Sequence, residues 1–209
     1  MKNNGTIDEL LKQKRLLPLV SVSDLNDIQP LEDILVEAGL PIVEIAFRSD
    51  LAAQAIERLR KSDELIVGAG TVKNLEQAKA ADDAGAQFVV TPGLSEPVVN
   101  YFLERKISIY PGIVTPSEVI RANDLGIYTL KAFPISSYGG IETLKALHGP
   151  FFETDFVPTG GVNENNYLDY LKLDYVRAVG GTFILPPSLI RKKDWPALKR
   201  LVKSLMKAI

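Results

Sequence analysis

In the stretch Ile127–Pro134, IYTLKAFP, a lysine interrupts β-branched and aromatic residues that read as a short buried strand ending at a proline. Lysine is almost never fully buried unless another group pairs with it or uses it, so Lys131 requires a partner. Upstream, PIVEIAF (41–47) sets Glu44 in an equally apolar run, with Arg48 directly after it. Strand side chains alternate faces, which groups Glu44, Ala46 and Arg48 on one side and Val43, Ile45 and Phe47 on the other; the same parity puts Phe133 beside Lys131. A neutral amine attacks a ketone to give a carbinolamine and then an imine, and burial near a cation such as Arg48 favours the neutral amine. The protonated imine withdraws electrons from the adjacent C–C or C–H bond, and Glu44 is the group placed to move protons for it. The competing reading is a buried Glu44–Lys131 ion pair without chemistry, a poor source of stability because desolvation can exceed the Coulombic gain.

Other polar residues fall near the ends of neighbouring apolar runs. Thr71, after VGAG, is suited either to hydrogen-bond a substrate carboxylate that Arg48 holds by charge, or simply to cap a strand. PTGGVNENN and AVGGTF place glycine pairs, Gly160–Gly161 and Gly180–Gly181, directly after two apolar runs. Glycines serve as turn formers, but two such pairs leading toward a helix or turn with free N–H groups also suit an anion such as phosphate, with Thr182 adding a hydroxyl. The single histidine, His148, sits before a Gly-Pro break and reads as a helix C-terminal residue. One histidine and no cysteine cannot build a His- or Cys-rich zinc set, and no acidic cluster has magnesium spacing, so neither a metal nor another cofactor is expected.

The elements that must position these groups recur with a regular beat. Apolar runs at 16–22, 41–47, 65–70, 87–93, 107–112, 127–133, 155–161 and 175–181 alternate with segments of helical period such as LAAQAIERLR and PSEVIRANDLG. Strands alternating with helices imply right-handed crossovers and a parallel sheet. Eight uninterrupted units predict one α/β domain, residues 1–209, folded as a (β/α)8 TIM barrel with an extra N-terminal helix (about 6–14) as its floor and a last helix over about 194–207. A doubly wound open sheet is disfavoured, since no G-x-G-x-x-G follows the first strand. In a barrel the chemistry belongs at the C-terminal strand ends, where Glu44 and Lys131 would converge.

The 209 residues carry 24 basic and 26 acidic side chains, interspersed, which leaves no basic stripe for nucleic acid and no polybasic membrane anchor. MKNNGTIDELLKQKR lacks an apolar core, and no run approaches the roughly 18 apolar residues of a membrane span. Together with the absence of cysteine, this gives the expectation of a cytosolic protein acting on a small molecule.

VEIAFRSD, VGAGTV, FVVTPGLSEPV, YPGIVTPSEV, LKAFP, GPF, FVPTGGV and AVGGT follow one another in an order that resembles the 2-keto-3-deoxy-6-phosphogluconate (KDPG) and 4-hydroxy-2-oxoglutarate (KHG) aldolase family across nearly the whole chain. The resemblance implies Lys131 as Schiff-base lysine and Glu44 as proton carrier. It further implies Arg48 and Thr71 on the pyruvyl carboxylate, Phe133 and Pro92 along the pocket, and Gly160, Gly161, Gly181 and Thr182 at the phosphate. It also implies a metal-free, cytosolic, trimeric enzyme that cleaves 2-dehydro-3-deoxy-6-phosphogluconate reversibly to pyruvate and glyceraldehyde 3-phosphate. The same chemistry on 4-hydroxy-2-oxoglutarate or on the galactonate epimer is the near alternative. A non-catalytic phosphosugar-binding barrel is the alternative from another class. Two departures stand out: LPLVSVSD offers Ser21 and Ser23 where some relatives have a phosphate-binding arginine, and ISSYGG follows the lysine in place of the more usual acidic step.

Overall fold

The computed structural model describes residues 5–209, so the first four residues of the polar N-terminal stretch and of the expected 1–209 domain lie outside it. Helix α1 (Gly5–Lys14) precedes β1 (Leu16–Val20), and strands and helices then alternate: α2 (Ile28–Glu37), β2 (Ile42–Ala46), α3 (Ala52–Leu59), β3 (Ile66–Gly70), α4 (Leu75–Asp83), β4 (Phe88–Val90) and α5 (Glu96–Glu104). The second half runs β5 (Ser108–Tyr110), β6 (Gly112–Ile113), α6 (Pro116–Asp124), β7 (Thr129–Ala132), α7 (Ile141–His148), β8 (Asp155–Pro158), α8 (Tyr167–Leu171), β9 (Val179–Gly181), α9 (Pro187–Arg191) and α10 (Trp195–Lys207).

All pairings are parallel and fall into a six-stranded sheet, β5-β4-β3-β2-β1-β9, and a three-stranded sheet, β6-β7-β8. The regular eight-beat strand pattern is thus corrected in one place. The run at 107–112 is split at Pro111, which has no N–H to continue a ladder, into β5 and β6. The two sheets touch through single parallel bridges, Phe156 with Val176 and Thr159 with Gly180. On the other side, Lys131 N donates to Pro111 O at 3.0 Å.

Local sequence explains the elements. Strands β1 and β2 are buried along their whole length, as parallel strands covered on both faces must be. Helix α3 buries Ala52, Ala55, Ile56 and Leu59, the i, i+3, i+4, i+7 stripe of a helix lying on a sheet. Helix α6 starts with Pro116 in its first turn, and Glu118 accepts hydrogen bonds from the N–H groups of Val114 and Thr115, both at 2.9 Å. The segment NENNYLDYLK yields only the five residues of α8, because Asn163 and Asn166 spend their side chains on the preceding loop: Asn166 Oδ1 accepts from Asn163 N at 2.8 Å and Asn166 Nδ2 donates to Gly161 O at 3.1 Å.

Helix α1 is pinned on the side of the strand N-termini. Asp8 accepts hydrogen bonds from Tyr110 Oη (2.9 Å) and Thr129 Oγ1 (3.2 Å), while Arg15 Nη1 donates to Val176 O (2.6 Å) and Nη2 to Leu171 O (2.5 Å). Burial raises the Asp8 carboxyl above its ordinary 3.8 despite those hydrogen bonds. Folded Asp8 therefore keeps its proton to higher pH than unfolded Asp8 does. Its titration contributes stability that is full below about pH 4 and is lost as pH rises through the raised value. Asp8→Ala is expected to cost about 1–3 kcal/mol, because the buried Tyr110 hydroxyl is left unpaired. In urea unfolding, its gap from wild type should narrow from acid toward neutral pH; a gap that widens would contradict the assignment.

Candidate active site

Lys131 lies on β7 opposite Gly112 and Val157, and Glu44 lies on β2 opposite Leu19 and Gly68. The two strands are not neighbours, yet the side chains meet across the interior with Lys131 Nζ 3.7 Å from Glu44 Oε1. Lys131 is 3% exposed and Glu44 1%. At 3.7 Å the contact is an ion pair too long to be a hydrogen bond, and Glu44 Oε1 accepts no hydrogen bond from the described residues. Burial pushes the Glu44 carboxyl above its ordinary 4.5, and the charges of Lys131 and Arg48 only partly oppose this. The Phe133 ring lies 5.1 Å from Lys131 Nζ, within cation–π range.

The carboxylate has room because of Gly70, the second glycine in VGAG. A Cβ on Gly70 would overlap the Glu44 side chain, lying 2.5 Å from its Cγ and 2.7 Å from its Cδ, and a Cβ on Gly68 would likewise overlap the Phe88 ring, 2.6 Å from its Cδ2. Both glycines answer large inward side chains on the adjacent strands, Glu44 on β2 and Phe88 on β4.

A recess of about 170 Å³ opens above the pair. Arg48, Lys131 and Phe133 line one part of it; Gly160, Gly161, Gly181 and Thr182 line another. Arg48 arrives by a different route from the one strand parity gives. Strand β2 ends at Ala46, and Arg48 N turns back to Ala46 O at 2.8 Å, so an exposed turn residue reaches the recess. The glycine pairs lead into turns rather than directly into helices: α8 and α9 each begin six residues after the second glycine of a pair. What the loop after β8 offers is backbone, since the N–H groups of Gly161 and Val162 donate to no acceptor among the described residues.

Thr71 and Pro92 do not wall this recess. Thr71 follows β3 with φ +59°, a conformation that costs a β-branched residue about 1–3 kcal/mol. Pro92 presents its backbone to Gly112. Strand β1 contributes Leu19, whereas Ser21 and Ser23 are exposed and lie outside the walls. Thr159 and Val162 complete the recess. Thr159 was legible in principle, since it stands inside the PTGG motif read only for its glycines, but Leu19 carries no sequence signal that separates it from core leucines.

Gly70→Ala is expected to displace the Glu44 carboxylate and lower turnover by about 10-fold or more while costing about 1–3 kcal/mol of stability. Steady-state kinetics beside thermal unfolding would check both; unchanged turnover would mean that this close approach does not matter.

Comparison with known proteins matches this chain to one family over nearly its full length. The family model for KDPG and KHG aldolase covers residues 7–201. A 2-dehydro-3-deoxy-phosphogluconate aldolase of Haemophilus influenzae is 37% identical over 204 residues, 97% of this chain and 96% of that protein. A KHG/KDPG aldolase of Escherichia coli is 37% identical over 205 residues, again 97% and 96%. Among solved structures, a KDPG aldolase of Legionella pneumophila with pyruvate captured at low pH as a covalent carbinolamine superposes with a TM-score of 0.91 at 31% identity, covering 94% of this chain and 96% of that one.

Proposed function

Because the chain belongs to the KDPG and KHG aldolase family, we propose that it cleaves 2-dehydro-3-deoxy-6-phosphogluconate reversibly to pyruvate and glyceraldehyde 3-phosphate, with Lys131 as the imine-forming amine and Glu44 as the proton carrier. The observation that carries this reading is the buried Lys131–Glu44 pair, 3.7 Å apart beneath an open recess. An isolated pair of this kind is a poor stabiliser, because each group loses several kcal/mol of hydration for a contact too long to hydrogen-bond.

The steps follow from that geometry. Lys131 Nζ adds to the C2 carbonyl of the substrate, its own proton passing to the oxygen as the carbinolamine forms; Glu44 delivers a second proton to that oxygen, so that water leaves and a protonated imine remains. Glu44, now a carboxylate, accepts the proton of the C4 hydroxyl as the C3–C4 bond breaks. The bonding electrons flow into the iminium to give an enamine, and glyceraldehyde 3-phosphate departs. Protonation of the enamine carbon by Glu44 and hydrolysis of the imine return pyruvate and the free lysine. A carboxyl that burial pushes above its ordinary range suits this alternation, since it holds its proton more readily than an exposed carboxyl does.

Arg48, assisted by Thr71, is proposed to hold the substrate carboxylate, Phe133 and Pro92 to flank the bound pyruvyl group, and Gly160, Gly161, Gly181 and Thr182 to receive the phosphate. The name of the Escherichia coli relative favours a second substrate of the same chemistry, 4-hydroxy-2-oxoglutarate. We further propose that the two sheets belong to one closed (β/α)8 barrel forming a single domain. The bridges from β8 to β9 and the hydrogen bond from β7 to Pro111 support closure. Assembly as a homotrimer in the cytoplasm is part of the same proposal; no helix of the described residues is long and apolar enough to cross a membrane.

Pyruvate with borohydride is expected to leave a stable covalent mass increase on Lys131, lost in Lys131→Ala. Intact-mass analysis with no adduct, or an adduct on another lysine, would sink the imine assignment. Glu44→Gln should still form the adduct, at a slower rate, while turnover falls about 10²–10⁴-fold. The acid limb of the wild-type pH–rate profile should lie above an ordinary carboxyl's 4.5, in the direction of the Glu44 shift; a limb at or below that value would remove Glu44 from the role.

A further inference from the structure

Beyond the strand ends, β7 and β8 remain zipped together. Thr159 N donates to Ala132 O (2.9 Å), Ile135 N to Thr159 O (3.0 Å) and Ser136 N to Gly160 O (3.1 Å). The 3-10 turn Ile135–Tyr138 is thereby laid along the glycine loop that follows β8. Ile135 is fully buried, and Thr143 Oγ1 of α7 donates to Tyr138 O, so the turn is held from below and behind.

This anchoring puts Ser136 Oγ into the space that a Cβ of Gly161 would occupy. Gly161 has φ +85°, so the site is shaped around the absence of a side chain there. Ser136 is exposed and does not itself line the recess, but its hydroxyl, without a hydrogen-bond partner among the described residues, lies against Gly161, which does line it and whose N–H, like that of Val162, is unpartnered. The glycine loop brings no cation to the recess, whose Arg48 and Lys131 come from the turn after β2 and from β7. An anion at the loop would be received there by hydrogen-bond donors of the loop itself, and a negative charge introduced beside it would oppose it.

We propose that Ser136 is a specificity-determining residue: its neutral hydroxyl joins the backbone donors of the Gly161 loop around the substrate's phosphate, and so sets the preference for a phosphorylated substrate. This rests on the reading that the natural substrate is phosphorylated. The hydroxyl is a donor that an anion can use.

The test compares wild type, Ser136→Ala, Ser136→Asn and Ser136→Asp as full chains on 2-dehydro-3-deoxy-6-phosphogluconate and on its unphosphorylated counterpart, with pyruvate–borohydride labelling of Lys131 to certify an intact site. Ser136→Asp is expected to lower kcat/KM for the phosphorylated substrate about 30-fold, mainly through KM, and to leave the unphosphorylated one within about threefold. Ser136→Asn, of the same shape without the charge, and Ser136→Ala should each lose about 3–10-fold on the phosphorylated substrate only. Equal effects on both substrates, or none on either, would overturn the role of Ser136 while leaving the phosphate reading standing. A wild-type enzyme with no preference for the phosphorylated substrate would overturn that reading and this inference with it. Should Ser136→Asp fail to take the label, the two neutral variants decide the question by the same substrate ratio.

Discussion

The contact on which the rest of this structure depends is the one between Lys131 and Glu44 across the interior. Two ionisable groups sit there almost without solvent, 3.7 Å apart, and the fold bears the desolvation of both. Such an arrangement survives only if the surroundings leave it no way to relax. Gly70 on β3 opens the volume that the carboxylate fills, β1 and β2 are buried from end to end, and α1 is tied across the strand N-termini by Asp8 and Arg15. Toward the strand C-termini the recess lies open.

The donors around that recess come from two sources with different physics. Side-chain charge enters through Arg48 on the exposed turn after β2 and through Lys131 itself. The loop after β8 contributes uncharged donors fixed by backbone geometry. A substrate with a carboxylate at one end and a phosphate at the other would meet a cation first and a hydrogen-bonding cradle second. The continuing β7–β8 ladder holds the two ends in register, because the strand that carries the lysine leads directly into the turn that lies on the glycine loop.

Much of this was legible in the residue pattern, for local reasons. A lysine in a β-branched run, a glutamate in another and glycine pairs at run ends are violations of burial or propensity that a neighbour must compensate, so they point to a site. Helix α3 and α6 follow from periodicity and capping. The pattern failed where a local rule stopped applying: strand parity ran past Ala46 into a turn, Pro111 split one strand in two, and the asparagines of NENN bonded to their own loop and shortened α8. The glycine pairs lead into turns, and the helices begin well beyond them.

The sequence by itself determined the alternation of strands and helices, the chemical types at the site and the family, because each is written in short-range spacing and composition. Only the tertiary structure decided that Lys131 faces Glu44, that Gly70 rather than any other glycine makes room for the carboxylate, that Leu19 replaces the strand-one serines at the recess, and that Ser136 rests on Gly161. Those are distances between residues far apart in the chain. Their values depend on how strands pair and twist around a shared interior, a property of the packed whole that no single segment carries.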